Sequence, residues 1–309
     1  MEGGSRAATI AVIIAMFAYA WAAILIRWAQ EASPLVIAFY RMLIGTVVWA
    51  PFYFIHSRGT TPIKITGRQW RYMLLAGLGL CFHFATWITS ISYTTVASAV
   101  FLIMTQPIMV AVAAHFILRE RLNRISLVAM GMTVIGAFLI FGGDFSVSQR
   151  ALFGDFLALL GAMGAGVYLF IARIVRPDRE GGEQGVPLTR YLPVVYATAT
   201  VGLGLLALIR GDRFGPFQPQ TWWAMLALGL VPQVIGHSLL NWALKYLPAL
   251  QVNITLVGEP IGASILAFLL LQESPSAGLL VGSPFLILAV FLIFRKPPKT
   301  VEMAAQSPL

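Results

Sequence analysis

Two ionisable side chains stand where such groups are costly. Arg41 interrupts the apolar run "AFYRMLIG", and Glu259 interrupts "LVGEPIGASILAFLLL". A guanidinium in that setting can hold a carboxylate in a two-pronged grip. A carboxylate can bind an ammonium group, pair with Arg41 or carry a proton. Charge inside an apolar segment costs about 2.5–3.5 kcal/mol on insertion scales and raises a functional reading by default. The competing readings are an Arg41 that snorkels outward or bonds helix-end carbonyls, and a Glu259 that is a protonated structural group.

Other polar residues fall into stripes. Gln233, His237, Asn241 and Lys245 recur every four residues, as do Gln251, Thr255 and Glu259, which keeps each set on one side of a helix. His83, Thr86 or Trp87, and Ser90 share a third face. Beside these stripes, Met16, Tyr19, Phe82 and Trp87 offer apolar and aromatic surface for a flat ligand. The plainer role for any one polar residue is interhelical glue, at about 0.6 kcal/mol; Lys245 reads as an interfacial anchor. Catalysis finds no support, since the chain has no H-E-x-x-H, no G-x-S-x-G and no paired aspartates. Four His and the single Cys81 exclude a disulfide framework and a Cys-rich metal centre. Neither a metal nor a cofactor is expected.

The elements that position these groups follow from composition. Of 309 residues, 59% are hydrophobic and 11% charged, against about 25% charged in a soluble domain. Long apolar stretches run from end to end, so the chain reads as an all-α, polytopic membrane protein. Ten spans are expected, at 7–28, 34–56, 69–92, 95–118, 124–142, 152–174, 189–209, 221–245, 249–271 and 276–294. The first exceeds a signal-peptide core and is read as retained. With the N-terminus in the cytoplasm, 16 basic residues fall on the cytoplasmic side and 4 opposite, with Arg41 inside a span. This positive-inside pattern puts both termini in the cytoplasm. It also accounts for the net charge of +9 without nucleic acid.

The chain also repeats itself. A shift of 153 residues lays Trp70 on Trp223, Tyr93 on Tyr246, Pro107 on Pro260, Glu120 on Glu273, and "FLIF" at 138–141 on "FLIF" at 291–294. His83 and His237 miss that register by one residue. Two units are therefore expected, 1–145 and 146–309, each with five spans. An odd number inserts the second copy upside down, as in secondary transporters, with the site between the copies near the midplane. Pro107 and Pro260 are expected to kink the fourth and ninth spans. Gln106 is the counterpart of Glu259, so the acid departs from the symmetry.

Three segments carry a resemblance to a known family. "QPIMVAVAAHFILRERLNRISLVAMGMTVIGAFLI" and "EPIGASILAFLLLQESPSAGLLVGSPFLILAVFLI" resemble the two EamA-type repeats of the drug/metabolite transporter superfamily, and "WAAILIRWAQEASPLVIAFYRMLIG" extends the likeness. "LRERL" and "LQESP" replace the family's usual Gly-Glu turn. The resemblance implies ten helices in a 5+5 inverted repeat, and export of small metabolites or drugs by alternating access. Among the branches, the chain is most similar to bacterial amino-acid exporters of the YddG type, which favour aromatic amino acids. An inner-membrane location is implied. On this reading Arg41 and Glu259 hold the charged end of a small-molecule substrate, while Met16, Tyr19, Phe82, His83, Trp87, His237 and Asn241 shape the rest. The rivals are a carrier of drugs, nucleobases or polyamines, and a channel-like membrane protein.

Overall fold

The computed structural model describes residues 2–55, 65–94, 99, 102–103, 105–117, 123–141, 149–176, 184–247, 252, 255–256, 258–272 and 277–295. Among these the regular elements are helices, and no strand occurs. They are α1 (Glu2–Trp28), α2 (Pro34–Ile55), α3 (Gly67–Ser90), α4 (Gln106–Ile117), α5 (Arg124–Phe141), α6 (Gln149–Val175), α7 (Leu188–Arg210), α8 (Pro219–Ala243), α9 (Glu259–Leu271) and α10 (Ala277–Arg295).

Among the described residues, six helices are long and apolar enough to cross a bilayer: Arg6–Trp28, Pro34–Phe54, Gly67–Ser90, Leu152–Val175, Leu188–Arg210 and Pro219–Ala243. A helix of 23 residues at 1.5 Å per residue rises about 35 Å, more than the hydrocarbon thickness. These six match six of the expected spans. α5 and α10 match two further ranges to within a residue, while α4 and α9 cover only the C-terminal part of the remaining two. Large apolar side chains such as Phe116, Leu208 and Trp223 point away from the bundle, a surface suited to lipid rather than water. The chain is a multi-pass membrane protein.

Local chemistry sets the helix ends. Thr66 Oγ1 accepts from the Gln69 backbone N–H (3.2 Å) and Gln69 Oε1 accepts from the Thr66 N–H (2.9 Å). This reciprocal pair satisfies two donors at the start of α3. Gly211, at φ 77°, ends α7 in the left-handed conformation that glycine adopts without a Cβ penalty. Glu31, between α1 and α2, accepts at one carboxylate oxygen from the Gln218 N–H (2.7 Å) and Thr221 Oγ1 (2.9 Å). It therefore caps α8 from a distant part of the chain. Glu31→Ala is expected to lower stability by about 1 kcal/mol, the usual worth of such a cap, and thermal unfolding in detergent measures it. An unchanged midpoint would contradict the cap.

Near the opposite end, Arg176 follows α6 and is buried. It donates Nη1 to Val186 O (2.9 Å) and Nε to Asn241 O (3.3 Å). Burial lowers its pKa to about 10, which leaves it charged at neutral pH and able to tie α6, α8 and the approach to α7 together.

Small residues allow close packing. α3 lies along α6, where a Cβ on Gly164 would fall 2.7 Å from Gly79 O and 2.8 Å from His83 N. Gly258 and Gly262 of "GEPIG" face Met16 and Ala20 of α1. Such contacts are the main attraction between helices where no hydrophobic effect operates.

The kinks expected at Pro107 and Pro260 adjoin positions 104 and 257, which lie outside the described residues. Each proline stands second in a helix, α4 or α9, that begins one residue earlier. In a first turn the missing N–H has no intrahelical partner to lose, so proline fits there without penalty. The backbone bonds at the two starts also correspond. Thr105 N donates to Leu102 O and Met109 N to Thr105 O; 153 residues on, Gly258 N donates to Thr255 O and Gly262 N to Gly258 O. Of the repeat landmarks, Glu120 and Glu273 lie outside the described residues, as does the proposed boundary at 145–146.

Candidate functional site

A cavity of about 660 Å³, including its open mouth, lies at the centre of the bundle. Two helix starts deliver their first residues to it, Gln106 from α4 and Glu259 from α9. Tyr19 of α1, Arg41 of α2, His83 and Trp87 of α3 and His237 of α8 complete the expected lining. Phe84 of α3 and Tyr168 of α6 join them.

Arg41 is 1% exposed. Its Nε donates to Gln233 Oε1 at 2.9 Å, and its guanidinium carbon sits 4.2 Å above the Phe84 ring centre. Nη1 is buried with no hydrogen-bond partner among the described residues. Among the described residues no ion pair joins Arg41 to Glu259, although both line the cavity. A cation stabilised by a neutral amide and an aromatic face keeps its charge free for a ligand.

The remaining wall is aromatic with polar edges. His83 Nδ1 lies 2.9 Å from Gly161 O, so that nitrogen carries the proton and Nε2 is left as an acceptor. Its ring stacks on Trp87 at 5.7 Å with 5° between the planes. His237 meets Tyr19 edge-on at 4.8 Å and Phe84 at 5.6 Å. Trp87 Nε1 and His237 Nδ1 are buried without partners among the described residues. Buried polar groups are normally hydrogen-bonded. Several unpartnered ones around one cavity mark a surface shaped for a polar ligand.

Three expected residues fall elsewhere. Phe82 is 43% exposed and shares an outward stripe with Leu75 and Leu78, so it faces lipid rather than the cavity. Phe84, two residues on, takes the inward place. Met16 packs on Gly258 beside the site and does not line it. Asn241 stands behind the wall, donating to the Tyr168 hydroxyl and, at 2.6 Å, to His237 O. Further polar bonds act as glue away from the cavity, Thr46 with Thr200 (2.9 Å) and Trp49 Nε1 to Ser238 Oγ (2.9 Å).

Tyr168 was not expected from the sequence, since nothing distinguishes it from other aromatics in apolar runs. Gln106 had a signal in its correspondence with Glu259. The described residues hold no group of three His, Cys, Asp or Glu side chains placed for a metal ion.

A multi-pass helical membrane protein with a buried, mixed-charge cavity is the architecture of a small-solute carrier. The EamA-like transporter family matches this chain twice, over residues 6–142 and 152–295. The chain belongs to that family. Relatives named as uncharacterized transporters include one from Archaeoglobus fulgidus, 27% identical over 274 residues (86% of this chain, 90% of that protein). YoaV of Bacillus subtilis is 22% identical over 287 residues (90% and 92%). One from Clostridium kluyveri is 22% identical over 267 residues (84% and 83%). A crystal structure of a protein with 18% identity superposes with a TM-score of 0.75, covering 92% of this chain and 95% of that one; this likeness concerns the fold.

Proposed function

We propose that the protein is a secondary transporter that exports amino acids, aromatic ones foremost, by alternating access to the central cavity. The observation that carries this reading is the buried Arg41 Nη1, without a hydrogen-bond partner among the described residues, in a cavity that also holds Glu259. A free amino acid supplies both missing charges, a carboxylate for Arg41 and an ammonium for Glu259. Phe84, Trp87 and Tyr168 supply apolar faces for a flat side chain. The architecture proposed is ten spans in two inverted five-helix units, 1–145 and 146–309, in a bacterial inner membrane with both termini cytoplasmic. The double family match and the matching backbone bonds at the starts of α4 and α9 support two units. The charge asymmetry supports the orientation.

Proteoliposomes test the function. Uptake of L-phenylalanine is expected to saturate and to accelerate when the vesicles are preloaded with unlabelled amino acid. Linear, non-saturating flux would indicate a channel, and no flux for any member of an amino-acid panel would refute the substrate class. Glu259→Gln is expected to raise the half-saturation concentration for L-phenylalanine by about tenfold, the loss of one charge-assisted contact. Competition by 3-phenylpropionate, which lacks the ammonium, should change far less. Equal effects on both compounds would remove Glu259 from ammonium binding.

A further inference from the structure

We infer that Gln233 is a positioning residue that makes Arg41 selective for a carboxylate presented end-on; this rests on the carboxylate-binding reading of Arg41. Gln233 does not line the cavity. It is fully buried and lies within Gly229–His237, a nine-residue π-helical stretch of α8. π-Helical turns are rare and concentrate at functional sites. The stretch begins at Gly229, where an added Cβ would fall 2.6 Å from Ile44 Cβ, so α8 lies close against α2. Gln233 then reaches back to Arg41, one turn before Ile44 on α2.

The side chain is held on two sides. A Cβ on Gly45 would come within 3.0 Å of Gln233 Cγ and 3.1 Å of the Tyr196 ring, so the absence of a side chain at Gly45 makes the slot that Gln233 occupies. Its Oε1 takes the Arg41 Nε–H at 2.9 Å, while Phe84 covers one guanidinium face. A guanidinium can grip a carboxylate from the side, through Nε and one terminal nitrogen, or end-on through both terminal nitrogens. Gln233 occupies the side approach. The end remains, and that end includes the unpartnered Nη1. The identity of the residue matters as much as its place. A glutamate could accept the same hydrogen bond, but its charge would neutralise the guanidinium and compete with the ligand. A glutamine fixes the orientation and leaves the positive charge available.

The test compares binding of L-phenylalanine with binding of L-phenylalaninamide, which keeps the ring and ammonium but lacks the carboxylate. The readout is the ratio of the two affinities in purified wild type, Gln233→Met, Gln233→Glu and Gly45→Ala. General damage to the fold weakens both ligands and leaves the ratio in place. In wild type the acid is expected to bind at least about tenfold more tightly than the amide, as a charge-assisted grip requires. In Gln233→Glu the preference should vanish, and in Gln233→Met it should fall by about fivefold. Gly45→Ala keeps every polar atom but displaces Gln233, and should lower the ratio in the same direction. It decides the matter should the Gln233 variants bind neither ligand. An acid preference kept at the wild-type value in the variants that bind would overturn the role of Gln233. No preference in wild type would instead overturn the Arg41 reading itself.

Discussion

Arg41→Ala is expected to raise the half-saturation concentration for an amino-acid substrate by about 100-fold or more in proteoliposome uptake. Two charge-assisted hydrogen bonds at roughly 1.5 kcal/mol each give about 3 kcal/mol, and each 1.4 kcal/mol is a factor of ten. The effect should be specific to the carboxylate. Phenylethylamine, which retains ring and ammonium, should compete about equally for the variant and the wild type. Arg41→Lys restores the charge without the fork, and with it neither the Gln233 bond nor the paired grip. It should recover only a small part of the loss. Near-normal uptake by Arg41→Ala would make Arg41 a packing residue and leave the cavity without a carboxylate site.

Gly164→Ala is expected to act on the fold with comparable force. The added methyl would meet Gly79 O at 2.7 Å and His83 N at 2.8 Å, backbone atoms of α3 that cannot turn aside as a flexible side chain can. α3 and α6 must separate, and overpacking of this kind costs about 1–3 kcal/mol. The displacement also strains the bond between His83 Nδ1 and Gly161 O, so the stacked His83 and Trp87 rings would shift within the cavity. A lower thermal midpoint together with weaker ligand binding is the expected pair of results. Gly131→Ala provides the contrast, because nothing lies within 4 Å of an added Cβ there. Equal tolerance at both positions would contradict the close α3–α6 approach.

The parts of the site legible in the sequence were those that break an apolar background. Arg41 and Glu259 stood out as charges, and His83, Trp87 and His237 as members of polar stripes. Aromatic residues were less legible. Phe82 and Phe84 are equally apolar, and only the helix rotation, fixed by buried Met73, Ala76, Leu80 and Phe84, decides which one turns inward. The prolines mark where α4 and α9 begin. The π-helical stretch left no trace at all. "GLVPQVIGH" contains a proline and two glycines, which suit many irregularities, and its four-residue polar spacing is preserved. Gln233 was therefore visible as one of a stripe, while its hold on Arg41 depended on a geometry the sequence does not encode locally.

On the proposed function, a zwitterion bridges Arg41 and Glu259 inside the bundle. A structure of the protein bound to L-4-bromophenylalanine tests it most directly, because anomalous scattering locates the bromine independently of the rest of the ligand. The carboxylate is expected at hydrogen-bond distance from Arg41 Nη1, the ammonium at the Glu259 carboxylate, and the bromophenyl ring against Phe84, Trp87 or Tyr168. A ligand lodged outside this cavity, or one with its ammonium beside Arg41, would contradict it.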